Sequence, residues 1–232
     1  MRMAISTAAI ATILGVAVGA ATISNGETKR ISDAATVLNE IRAVPDKDVP
    51  QNLWDKASCV VVIPGLKKAA FVFGGEFGKG VLSCRHGAEW SAPVFMELEK
   101  GSWGFQIGAQ SIDLVLLVMN ERGIDKLLSD KVTLGGEASV AAGPVGRDAR
   151  AATDAQLNAQ ILSYSRTQGL FAGIDISGGV LRPDTDDNAD VYGAGVSPRD
   201  IVLNGRVAVP PATQPFIRAL NRNSVVGTSG NR

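Results

Sequence analysis

Residues 69–85 read AAFVFGGEFGKGVLSCR, with four glycines between positions 74 and 80 and a lysine at 79. A phosphate-cradling loop needs the spacing G-x-x-x-x-G-K-[ST] and a helix after it, so that backbone N–H groups and the lysine can converge on phosphate. Here Gly74 and Gly78 are one residue too close, and Gly80 stands where the hydroxyl belongs. Val81, Leu82, Ser83 and Cys84 favour a strand over a helix start. Two strand-like runs around a glycine cluster predict a β-hairpin that turns at the glycines. No nucleotide is expected.

His86 is the only histidine, so any Ser–His–Asp or Cys–His chemistry must use it. Cys84 lies two residues away and would share its face of a strand. The segment RHGAEW reads as an exposed hairpin turn, where nothing orients the imidazole or excludes water. Cys59 and Cys84 are the only cysteines; they could form a disulfide or stay as two buried strand thiols, and the sequence leaves both open. One histidine is too few for a His-based zinc site.

DTDDNAD (184–190) spaces Asp184, Asp186, Asn188 and Asp190 like the first four ligand positions of a calcium loop. Ala189 occupies the glycine position and Gly195 the position of the bidentate glutamate, so it is a weak metal candidate; a solvated acidic loop is the simpler reading. Two basic turns, PGLKKA with Lys67 and Lys68 and GPVGRDAR with Arg147 and Arg150, can hold a phosphate or lipid head group; on charge alone, solvating the turn is the simpler reading.

The elements that must position these residues follow from patterning. Lys29 to Arg42 carries Ile31, Ala34 or Ala35, Leu38 and Ile41 at helical spacing, with Lys29, Arg30 and Asp33 opposite. DKDVPQNLWDKA predicts a short helix capped by Asp48. From Cys59 onward short β-rich runs follow in close succession, interrupted by a central helix over 120–130 and ended by a short C-terminal helix in PATQPFIRALNRN. Strands without a helix between each pair predict an α+β fold: an antiparallel sheet or partly open barrel with an N-terminal amphipathic helix.

Lys plus Arg and Asp plus Glu number 23 each, so no bulk field steers the chain to nucleic acid or to an acidic surface. Recognition must be local. The first residues carry only Arg2 before Glu27, an apolar centre and the small-residue exit AVGAA, the layout of a signal peptide over 1–21 or of an uncleaved anchor. The rest is expected to be one domain over 28–222 with a disordered tail over 223–232, exported or periplasmic.

Several blocks carry a resemblance: FGGEFGKGVLSCR, WSAPVFMEL, GFQIGAQSIDLVLLVMN, VTLGGEASVAAGPVGRDA and SYSRTQGLFAGIDISGGVL. In this order, over roughly residues 30 to 195, they resemble the SYLF domain. The resemblance implies a non-enzymatic phospholipid-binding domain without a cofactor. Its eukaryotic members bind phosphoinositides, some bind actin, and a basic amphipathic N-terminal helix helps engage the membrane. Carried over, that helix is Lys29 to Arg42, and the basic turn is Lys67 and Lys68. The signal-like start looks like a bacterial exported branch, for which phosphoinositides and actin are not the expected ligands. Lys29, Arg30, Lys67, Lys68 and Arg147 are therefore the expected contacts for an anionic phospholipid or membrane surface. The alternative is a structural or protein-interaction module of the periplasm that binds no lipid.

Overall fold

The structure, a computed structural model, describes residues 23–41, 49–70, 73–103, 108–146, 158–167 and 170–224. The signal-like segment 1–21, Arg42, Asp48, Arg147, Arg150 and the tail beyond 224 lie outside the described residues.

The α+β expectation holds. A ten-stranded sheet curls into an open half-barrel in the order β6-β10-β4-β2-β1-β5-β8-β7, with β3 added to β2 and β9 to β8. The long strands are β1 (Cys59–Ala70), β2 (Phe73–His86), β4 (Val94–Trp103), β5 (Gly108–Val118) and β8 (Ile161–Thr167). Short strands complete the sheet: β3 (Glu89–Trp90), β6 (Val132–Thr133), β7 (Val140–Ala142), β9 (Leu170–Gly173) and β10 (Val180–Pro183). The pairings are antiparallel except β7 on β8, which is parallel. The helices are α1 (Asn25–Glu40), α2 (Gln51–Lys56), α3 (Glu121–Leu127), α4 (Thr185–Tyr192), α5 (Pro198–Val202) and α6 (Gln214–Asn223).

Both faces of the sheet are covered, which is why CVVVI (59–63) and LVLLV (114–118) are apolar throughout instead of alternating. On one face Val60, Val62, Val81, Phe95, Val115 and Leu117 pack under α1, α2 and α6. On the other, Val61, Ile63, Leu82, Met96, Leu114 and Leu116 pack against α3 and α5.

Two local expectations are corrected. PGLKKA is not a turn: β1 runs through it, with a register shift against both neighbouring strands and Gly65 at φ +60°. A bulge accommodates a proline without an N–H and a left-handed glycine inside a central strand. The hairpin of β1 and β2 exists, but its glycines do not make the turn; they lie within β2, where Ala70 already faces Gly74. Gly80 is required by close approach, since a Cβ there would lie 2.2 Å from the Val62 carbonyl oxygen. The α2 N-cap is Pro50.

The cysteines form a disulfide: Cys59 faces Cys84 across β1 and β2, with Cα atoms 4.0 Å apart. Among the described residues no helix is long and apolar enough to cross a membrane.

Candidate functional site

The start of α1 is fixed by a capping box. The Ser24 N–H donates to Glu27 Oε2 at 2.6 Å, and the Glu27 N–H donates to Ser24 Oγ at 3.3 Å. This fixes where the helix begins and so which way Lys29 and Arg30 project. Lys29 points outward, its side chain 75% exposed, and pairs with Asp33 one turn on at 2.6 Å. Arg30 points inward and is 11% exposed.

Below Arg30 lies an ionic cluster. Arg30 Nη1 is 3.2 Å from Asp184 Oδ2, and Nη2 bonds Asp187. The guanidinium also stands 5.2 Å from the centre of the Phe95 ring. Lys79 on β2 donates to the same Asp184 oxygen at 2.7 Å and pairs with its cross-strand neighbour Glu97 at 3.3 Å. Burial acts to lower the Lys79 amine, but the hydrogen bonds and charges of Asp184, Asp187 and Glu97 win and hold it above its ordinary value. Burial, with Asp184 beside it, pushes the Asp187 carboxyl up. Asp184 is also buried, yet hydrogen bonds from Asp187 and Lys79 hold its carboxyl low. Lys79 is therefore held by carboxylates, which agrees with the absence of a nucleotide motif.

The weak calcium loop is corrected by the same cluster. Asp184 is the N-cap of α4 and accepts from the Asp187 N–H, so the segment opens a helix. Asn188 is buried and joins α4 to β4: its Oδ1 accepts from the Phe95 N–H, and its Nδ2 donates to the Phe95 carbonyl. Asp186 and Asp190 stay exposed. Among the described residues no group of three or more His, Cys, Asp or Glu is arranged to hold a metal. Cys84 is committed to the disulfide, and His86 Nε2 lies 2.6 Å from the Val202 carbonyl oxygen. No thiolate–imidazole pair forms.

Between α1 and the bulged region of β1 and β2 lies a shallow groove of about 280 Å³. Lys29, Arg30, Lys67 and Lys79 line it, with Phe77 and Gly78 among its other walls. Phe77 is 45% exposed, one of two large apolar side chains this open among the described residues. Lys67 faces Phe77 across the strands and forms no ion pair among the described residues. A larger groove of about 450 Å³ is acidic, with Glu97, Asp130, Asp184 and Asp186 around Arg182.

The structure thus brings together Lys29, Arg30 and Lys67, and separates Lys68. Adjacent residues of a strand point to opposite faces, so Lys67 and Lys68 cannot act as a pair. Lys68 is held by Glu76 at 3.1 Å. The apolar face of α1 is also not free. Ile31, Leu38 and Ile41 are buried against the sheet and α6, each contributing about 2 kcal/mol to folding. In this fold the apolar face of the N-terminal helix is spent on the core and is not presented to a membrane. Phe77 and Lys79 were missed as groove residues, because the glycines around them pointed to a turn.

Comparison with known proteins gives this architecture its relatives. The family model described as "Ysc84: Las17-binding protein actin regulator" matches residues 99–223, more than half of the chain. Protein YSC84 of Saccharomyces cerevisiae is 34% identical over 179 residues, covering 75% of this chain and 38% of that protein. The SH3 domain-containing protein PJ696.02 of Schizosaccharomyces pombe is 35% identical over 177 residues, covering 75% and 41%. SH3 domain-containing YSC84-like protein 1 of Rattus norvegicus is 30% identical over 195 residues, covering 81% and 57%. The chain spans 38% to 57% of the length of these three relatives. With its mixed half-barrel and the family match, the chain belongs to the Ysc84 family of SYLF-domain proteins.

Proposed function

We propose that this chain is a non-enzymatic phospholipid-binding protein of the bacterial cell envelope, and that it takes an anionic head group into the groove between α1, β1 and β2. The observation that carries the reading is the convergence of Lys29, Lys67 and the half-exposed Phe77 on one groove. The roles divide by charge balance. Arg30 and Lys79 are neutralised by Asp184, Asp187 and Glu97, so they shape the wall. Lys67 forms no ion pair among the described residues. The Lys29–Asp33 pair is exposed and of little strength, so Lys29 can exchange its partner for a phosphate. Phe77 offers an apolar surface to the glycerol and first methylenes of a lipid.

Export is supported by the signal-like start and by the Cys59–Cys84 disulfide, a bond that persists in oxidising compartments. A second reading draws on the relatives, whose family description names them as Las17-binding: a protein-interaction module that binds no lipid. Co-sedimentation with phosphatidylcholine vesicles, with and without phosphatidylglycerol, separates the two. The lipid reading expects binding only to the anionic vesicles, weakening as salt rises because exposed charges are screened. Indifference to every vesicle would favour the protein-interaction reading.

A further inference from the structure

Alternation along β1 breaks at its bulge. Val60 and Val62 pack on the α1 face, and Val61 and Ile63 on the opposite one. Leu66 packs with Ile63, although residues an odd number of positions apart point to opposite faces of a regular strand. The pairing with β5 shows where the extra residue is taken up. Ile63 faces Leu114 and Leu66 faces Ile112, so Asp113 alone stands opposite Pro64 and Gly65. The consequence falls on the lysines. Continued without a bulge, β1 would carry Lys67 to the face of Ile63 and bring Lys68 to the groove, because a one-residue shift exchanges the faces. With the bulge, Lys67 stands on the α1 face opposite Phe77, and both line the groove.

Asp113 holds this bulge. Gly65 has φ +60°, and its N–H donates to Asp113 Oδ1 at 2.8 Å. The other carboxylate oxygen accepts from Arg166 Nε at 2.8 Å, and Arg166 also pairs with Glu40 at the end of α1. Burial pushes the Asp113 carboxyl up, against a downward pull from the Gly65 N–H. Asp113 itself is not among the described residues that line the groove. On charge alone, a carboxylate beside an anion site opposes binding, so charge and position predict opposite signs for its removal.

We infer that Asp113 is a positioning residue for head-group capture: by holding the Gly65 N–H it sets the bulge that turns Lys67, and not Lys68, into the groove. The inference rests on the lipid-binding reading and adds to it the residue that decides which lysine meets the phosphate.

The test compares Asp113→Ala with Asp113→Asn on phosphatidylcholine–phosphatidylglycerol vesicles. Both remove the same charge, but only asparagine keeps an oxygen that accepts from the Gly65 N–H. Asp113→Asn should bind at least as well as wild type. Asp113→Ala should bind about fivefold more weakly than Asp113→Asn, the worth of one cation near an anionic surface. Lys67→Gln should cost the wild type about fivefold but Asp113→Ala only about twofold or less, a coupling that lost stability alone does not produce. Should Asp113→Ala fail to fold, Gly65→Ala strains the same bulge at its left-handed residue and reads the same coupling. Equal binding by the two Asp113 variants, or an equal cost of Lys67→Gln in both backgrounds, would overturn the inference and leave head-group capture standing. A wild type indifferent to every vesicle would overturn the lipid reading, and the role of Lys67 with it. Exchange of the Gly65 amide needs no lipid: it should be slow in wild type and Asp113→Asn and faster in Asp113→Ala. Equal exchange in all three would show that Asp113 does not hold the bulge.

Discussion

Arg30 Nη1 and Asp184 Oδ2 stand 3.2 Å apart although 154 residues separate them along the chain. Through this pair the first helix is fastened to the N-terminus of α4, and both to Lys79 in the middle of the sheet. The groove keeps its shape because its two inward cations are held from behind.

Removing Arg30 should therefore cost stability as well as shape. Arg30→Ala leaves Asp184 and Asp187 with Lys79 as their remaining salt-bridge partner among the described residues, and breaking a buried pair costs about 3–5 kcal/mol. We expect a loss at the lower end, about 3 kcal/mol, in urea denaturation followed by circular dichroism. A change within about 0.5 kcal/mol, the range of ordinary surface substitutions, would show that the pair does not fasten α1.

The same cluster sets an acid limb. Asp184 is held below its ordinary 3.8 in the folded chain, so its contribution is present above 3.8 and is lost as pH falls through the folded value. Asp184→Asn should be less stable than wild type at neutral pH, and the gap should close below pH 3.8. Asp187 is shifted the other way, so the first proton taken up by the pair goes there. A gap that stays constant from neutral pH to acid would contradict this assignment.

The disulfide closes a separation of 25 residues, for which loop entropy gives about 3 kcal/mol. Denaturation midpoints with and without reductant should differ accordingly, and Cys59→Ala with Cys84→Ala should match the reduced protein. Equal midpoints would mean that the bridge contributes nothing to stability.

Gly80 and Gly101 offer a paired test of the bulge. A Cβ on Gly80 would lie 2.2 Å from the Val62 carbonyl oxygen, whereas one on Gly101 meets nothing within 4 Å. Gly80→Ala should destabilise by about 2 kcal/mol or more through forced backbone movement, and Gly101→Ala should be nearly neutral. Similar effects from both would remove close approach as the reason for the glycine.

Much of this was legible beforehand. The runs CVVVI and IDLVLLV, Asn120 ahead of its helix, and the spacing of Ile31, Leu38 and Ile41 give strands and helices that the structure bears out. Misreadings gathered where tertiary contact overrides local signal. Pro64–Gly65 looks like a turn to any reader of single residues, and only the register of two neighbouring strands makes it a bulge. DTDDNAD reads as an acidic loop because its partners, Arg30 and Lys79, lie more than 100 residues away. The helix start was nevertheless visible in Asp184 followed by Asp187. The separation of Lys67 from Lys68 follows from alternation once they are known to be in a strand, and the groove shared by Lys67 and Lys29 needs the fold.

Charge reversal at the two adjacent lysines tests the central claim most directly. Lys67→Glu alters the cation beside Phe77 that forms no ion pair among the described residues, whereas Lys68→Glu acts on the opposite face. Co-sedimentation with phosphatidylcholine–phosphatidylglycerol vesicles at low salt should show Lys67→Glu losing most of the binding. Lys68→Glu should lose much less, near the effect of about 1 kcal/mol for one cation close to an anionic surface. Equal losses, or undiminished binding by Lys67→Glu, would contradict head-group capture in this groove.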